Sequence, residues 1–91
     1  SEAQGTPTVP EGGQLLLDAT ATALRRELAE HFSLPEAEIG VTVGGQVDDG
    51  GAVTLRRVSV VLHGDSRKRR IAVKEYLEEN LNACEVTVNV E

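Results

Sequence analysis

The chain has 91 residues, 40% of them apolar and 26% charged, with nine Lys and Arg against fifteen Asp and Glu for a formal net charge of −6. That length fits one domain, and the apolar share excludes wholesale disorder. Net negative charge and only two aromatic residues, Phe32 and Tyr76, argue against a nucleic-acid binder, which needs basic surface and stacking rings; no run approaches the ~18 apolar residues that cross a bilayer.

Residues 1–13 carry two prolines and three glycines without apolar periodicity, the composition of a flexible leader or linker; residues 14–91 then read as a single domain. The chain does not begin with Met and reads as a fragment, with Ser1 a cloning remnant. From Gln14 onward, Leu17, Ala21, Leu24, Leu28 and Phe32 recur at helical spacing while Arg25, Arg26, Glu27 and Glu30 fall off the stripe. This predicts an amphipathic helix ending near Ser33, because Pro35 disfavours helical geometry at Leu34.

Ile39, Val41, Val43 and Val47 alternate as in a strand, and Asp48-Asp49-Gly50-Gly51 is a turn sequence, so a hairpin is predicted. The return strand runs from about Val53 to Leu62 but changes phase: Val53 and Leu55 share one parity, while Val58, Val60 and Leu62 share the other. A bulge near Arg56-Arg57 reconciles the two halves. Gly64-Asp65-Ser66 interrupts the strand and offers an N-cap, with Asp65 or Ser66 accepting from free amides. A second helix to about Asn82 buries Val73, Leu77 and Leu81 with Tyr76 on its flank, and Val86, Val88 and Val90 mark a last strand. The predicted fold is α+β, an αββαβ two-layer sandwich with two helices on one face of a three-stranded sheet.

Chemistry-bearing residues are sparse. Cys84 is single, which precludes an intrachain disulfide, and it reads as a small buried apolar residue, with an intermolecular disulfide or reactive thiol as the alternatives. His31 and His63 end a helix and a strand and have no ligand partner at i,i+4; Asp48-Asp49 reads as a turn rather than a calcium loop. Ser59, Ser66 and Cys84 are the available nucleophiles, and no local feature activates any of them. The doublets Gly12-Gly13, Gly44-Gly45 and Gly50-Gly51 match no phosphate-binding fingerprint, and Gly44-Gly45 reads as a bend in the first strand. The expectation is a protein without enzymatic activity, metal or cofactor.

Charge carries more information. Seven of the nine basic residues (Arg56, Arg57, Arg67, Lys68, Arg69, Arg70 and Lys74) lie between Thr54 and Lys74, opposed only by Asp65, so this segment is +6 and the remainder, with two basic and fourteen acidic residues, is −12. Arg67-Lys68-Arg69-Arg70 sits at a helix N-terminus, where the macrodipole disfavours cations. Three readings fit: a solvated edge paired with neighbouring Glu residues, a contact with the acidic surface of a protein partner or a second copy, and a contact with phosphate or anionic lipid. The protein contact makes Arg56, Arg57, Arg67, Lys68, Arg69 and Arg70 the candidate interface residues.

Residues 23–62, ALRRELAEHFSLPEAEIGVTVGGQVDDGGAVTLRRVSVVL, resemble the extracytoplasmic domain of stage III sporulation protein AF, and YLEENLNACEVTVNV resembles that family's final helix and strand. The resemblance spans about residues 15–91. It implies a ring-building-motif-like αββαβ domain, held by an N-terminal membrane anchor and placed outside the cytoplasm between mother cell and forespore. There it would contribute to the channel complex by contact with other subunits or with itself. It implies no catalytic residues. Some members carry a long insertion between the second strand and second helix; here that connection is only residues 63–66. The rival reading is a KH-like nucleic-acid module with a similar element order, against which stand the missing GxxG loop, the scarce aromatic residues and the negative charge.

Overall fold

A computed structural model describes residues 11–91. The element order is α1 (Glu11–Phe32), a 3₁₀ turn (Glu36–Glu38), β1 (Ile39–Val47), β2 (Val53–Leu62), a 3₁₀ segment (Gly64–Arg69), α2 (Arg70–Asn80) and β3 (Glu85–Val90). Helix α1 begins before Gln14, so residues 11–13 of the expected leader are helical; residues 1–10 lie outside the described residues.

The predicted stripe is the buried one: Leu17 and Leu28 are buried and Leu24 and Phe32 pack on the core. Ser33 ends α1 in the left-handed region (φ 56°), and the Leu34 amide donates to the Ala29 carbonyl at 2.9 Å. That is a Schellman-type closure in which Leu34 also packs against the core. It turns the chain into Pro35, whose carbonyl accepts from the Glu38 amide, and β1 begins at Ile39.

β1 and β2 form the predicted antiparallel hairpin from Ile39↔Leu62 to Val47↔Val53. The Asp48 carboxylate shapes its turn by accepting from the Gly50 and Ala52 amides, both at 2.9 Å, and Gly51 takes φ 87°. The register slips where Gly44 faces Arg57 and Gly45 faces Leu55, leaving Arg56 as the extra residue. The phase change in β2 is thus a bulge at the expected dipeptide, and it keeps Leu55 with Val58, Val60 and Leu62 on the core side. β3 pairs in parallel with β2, from Arg57↔Glu85 to Leu62↔Val90, giving the order β1-β2-β3 with β2 in the centre.

Both helices cover one face of this mixed sheet, a two-layer α+β sandwich. Its core joins Leu28, Ala29, Ile39, Val58, Val60, Leu62, Val73, Leu77 and Val88. Central β2 contributes the three strand residues with no exposure at all, Val58, Val60 and Leu62. Helix α2 stops at Asn80 rather than Asn82, because Leu81 is already extended, although its side chain still packs on the core. Among the described residues, no helix is long and apolar enough to cross a membrane.

Candidate interaction surface

Because side chains alternate along strands, burial of Val41, Val60 and Val88 on the helix side sends their neighbours to the opposite, open side. That open face carries Gly40, Thr42 and Gly44 of β1, Ser59 and Val61 of β2, and Thr87 and Asn89 of β3. Strict alternation would put only one of two consecutive arginines there. The bulge delivers both. An Nη of Arg56 donates to the Gln46 side-chain oxygen at 3.4 Å, and the Arg57 guanidinium lies over Gly44, with Nη2 2.7 Å from where a β-carbon would stand. Gly44 and Gln46 both belong to the open face of β1, so the two cations share it. Gly45 accommodates the slipped register: a β-carbon there would lie 2.3 Å from the Thr54 carbonyl oxygen. Glu85 is the Arg57 neighbour on β3, yet Arg57 leans the other way, over β1.

The basic run occupies a different place. Arg67, Lys68 and Arg69 lie on the 3₁₀ segment, with Arg70 and Lys74 in the first turns of α2. Arg57 lies mid-strand and the end of β2 at Leu62 is five residues further on, ~17 Å at strand rise, so the basic segment resolves into two groups, one in the middle of the central strand and one beyond its C-terminal end. The structure brings Arg56 together with Arg57, and residues 67–70 together with Lys74, but not the one set with the other. All seven are exposed. Among the described residues none forms an ion pair; the pairs present are Arg25 with Glu36 (3.6 Å) and His63 with Glu91 (3.8 Å). Charge of the opposite sign lies on the solvent side of the helix layer, at Asp18, Glu27 and Glu30 of α1 and Glu75, Glu78 and Glu79 of α2.

The other singled-out residues fall into structural settings. Ser66 is not a cap: its side chain has no exposure, and its hydroxyl donates to Glu38 Oε1 at 2.7 Å, while α2 begins at Arg70 without a side-chain cap. Asp65 is exposed and caps nothing either. Glu38 is the polar residue that sequence reasoning missed, since no local pattern links it to a serine 28 positions away. His31 stacks on Tyr76 (centroids 4.2 Å apart) beside Phe32, and the Tyr76 hydroxyl donates to Glu27. That hydrogen bond, then burial and the Glu27 charge, raise the Tyr76 pKa above its ordinary 10.0. Cys84 is half-buried against the core, and burial followed by the Glu85 charge raises its thiol pKa, the setting of an unreactive cysteine. Among the described residues, neither histidine hydrogen-bonds to Ser59, Ser66 or Cys84, and no group of three or more His, Cys, Asp or Glu could hold a metal ion.

No protein family model matches the chain, and no curated protein matches it.

Proposed function

We propose that this chain is a non-catalytic assembly domain that joins neighbouring subunits head to tail. The open sheet face of one copy, with Arg56 and Arg57, meets the acidic helix layer of the next. The observation that carries this reading is the bulge, which puts two consecutive arginines on one uncovered face while the opposite layer exposes Glu75, Glu78 and Glu79. A contact between two different faces of the same molecule is heterologous, and repeated contacts of that kind close into rings when the rotation permits. Small side chains on the open face (Gly40, Thr42, Ser59 and Thr87) leave a helix room to approach it.

The resemblance to stage III sporulation protein AF extends the proposal. The domain would be held outside the cytoplasm by an N-terminal anchor and take part in the channel complex between mother cell and forespore, with other subunits of that complex or further copies as partners. Tethering would raise the local concentration to the order of millimolar, so a weak contact suffices.

The test is sedimentation equilibrium of the chain up to about 1 mM, the concentration tethering would reach. Self-association is expected at low salt and should weaken as salt is raised. Arg56→Glu/Arg57→Glu should abolish it, and mixing that variant with Glu75→Lys/Glu78→Lys/Glu79→Lys should restore hetero-association. A monomer at every concentration and salt, or association indifferent to the arginine reversal, refutes the reading.

A further inference from the structure

The run from Arg67 to Lys74 lies apart from Arg56 and Arg57 and calls for a different partner. We propose that this edge, with Ile71 at its centre, docks the domain on the surface of an anionic lipid bilayer.

The cations are held there without local compensation. Arg67, Lys68, Arg69, Arg70 and Lys74 are all exposed, and they occupy the approach to α2 and its first turns, where the helix dipole disfavours positive charge. Among the described residues the run makes one side-chain hydrogen bond, from Arg67 Nε to the Gly64 carbonyl at 2.8 Å, and no ion pair. Asp65 precedes the run, Glu75 follows it and Glu78 lies one turn beyond Lys74, and among the described residues none of the three pairs with the five cations. Of the other carboxylates at this end of the sheet, Glu38 is committed to Ser66 and Glu91 faces His63 at 3.8 Å.

Ile71 makes the patch more than basic. It is 62% exposed in the middle of the run. The buried positions of α2 are Val73 and Leu77, and a residue two positions before Val73 lies about 200° around the helix, on the side away from the core. Packing therefore does not account for Ile71. An acidic protein surface would be satisfied by the cations alone. A branched alkyl side chain surrounded by Arg and Lys instead fits a lipid interface, where phosphate head groups meet the cations and the acyl boundary takes the apolar tip. Since the chain as a whole is −6, an anionic surface repels the remainder and selects this edge. Docking by the edge keeps Arg56 and Arg57, about 17 Å back along β2 from its end at Leu62, off the bilayer.

The test is co-sedimentation of the chain with vesicles of phosphatidylcholine alone and of phosphatidylcholine mixed with phosphatidylglycerol. Binding is expected only to the mixed vesicles, and raised salt should reverse it. Lys68→Gln/Arg70→Gln should weaken binding about thirtyfold. Ile71→Ser should weaken it about tenfold while leaving the thermal melt unchanged, since the side chain supports no core contact. The chain contains no Trp, so Ile71→Trp supplies a single reporter whose emission should shift to the blue on mixed vesicles. Equal binding to both vesicle types, no binding, or an unshifted indole emission from the Ile71→Trp variant overturns the proposal. So does loss of self-association rather than of vesicle binding on Lys68→Gln/Arg70→Gln, which would make the run a protein contact. Arg56→Glu/Arg57→Glu should leave vesicle binding intact, which keeps this test separate from that of the assembly contact.

Discussion

Replacing Glu38 with alanine should destabilise the domain far more than its place on a three-residue surface turn suggests. Its Oε1 accepts from the Ser66 hydroxyl at 2.7 Å and from the Ser66 amide at 3.3 Å, tying the start of β1 to the segment that leads into α2. Ser66 has no exposure in the intact domain, so its hydroxyl depends on this acceptor. The amide keeps a second partner, the His63 carbonyl at 3.1 Å, but the hydroxyl is orphaned. An unpaired buried hydroxyl costs about 1–3 kcal/mol, so about 2 kcal/mol is expected. In a domain of this size that lowers the melting temperature by about 8–16 °C. Ser66→Ala removes the hydroxyl together with its need for a partner and should cost about 1 kcal/mol. In the Ser66→Ala background, Glu38→Ala should then cost about 1 kcal/mol less than alone, a coupling that a double-mutant cycle reads directly. Glu36→Ala is the control, because Glu36 makes only an exposed ion pair with Arg25 at 3.6 Å, of the class that contributes about 0.2–1 kcal/mol. Urea denaturation followed by circular dichroism at neutral pH gives all four values. If Glu38→Ala costs no more than Glu36→Ala, or if the two losses add, the link between Glu38 and Ser66 does not hold the fold.

Two further outcomes follow from the packing. Gly45→Ala should cost about 1–3 kcal/mol, because the new methyl meets backbone at 2.3 Å, whereas Gly50→Ala, with only Asp48 Oδ1 at 3.5 Å, should stay within about 0.5 kcal/mol; equal urea midpoints would remove the steric account of the bulge. The phenol absorbance of Tyr76 should titrate with a midpoint above 10.0, and Glu27→Gln should bring it back toward that value. Because the folded pKa is the raised one, this phenol's contribution to stability is complete below the unfolded pKa and is lost as pH rises through the folded one. A midpoint at or below 10.0 would show that the Glu27 hydrogen bond is not made in solution.

Local periodicity carried most of the fold. The stripe from Leu17 to Phe32, the Asp-Gly turn and the parity change across Arg56-Arg57 are contests between near neighbours, and each resolves in the structure as the residues indicate. What the sequence hid was decided at long range. Ser66 has the residue type of a cap, and only the carboxylate of Glu38, brought in from another element, turns its hydroxyl inward. The neighbour of β3 was illegible because Val86, Val88 and Val90 would suit either edge of the sheet; it is the crossover through α2 that lays β3 parallel beside β2. The basic residues form one block when counted along the chain, but an extended strand and a turn separate them into two surfaces.

Central placement of β2 also sets an order of events. Hairpin pairing starts six residues apart, at Val47↔Val53, and zips outward, whereas every β2–β3 pair joins residues 28 apart, as from Arg57 to Glu85. Loop closure favours the near pairs, so β1 and β2 can associate while one edge of β2 is still unoccupied. During that interval Val58, Val60 and Leu62 lie in an incomplete sheet, and only the return of the chain through α2 brings Val88 in to complete it. The last strand therefore acts as a latch: its arrival turns a hairpin leaning on a helix into a cooperative unit.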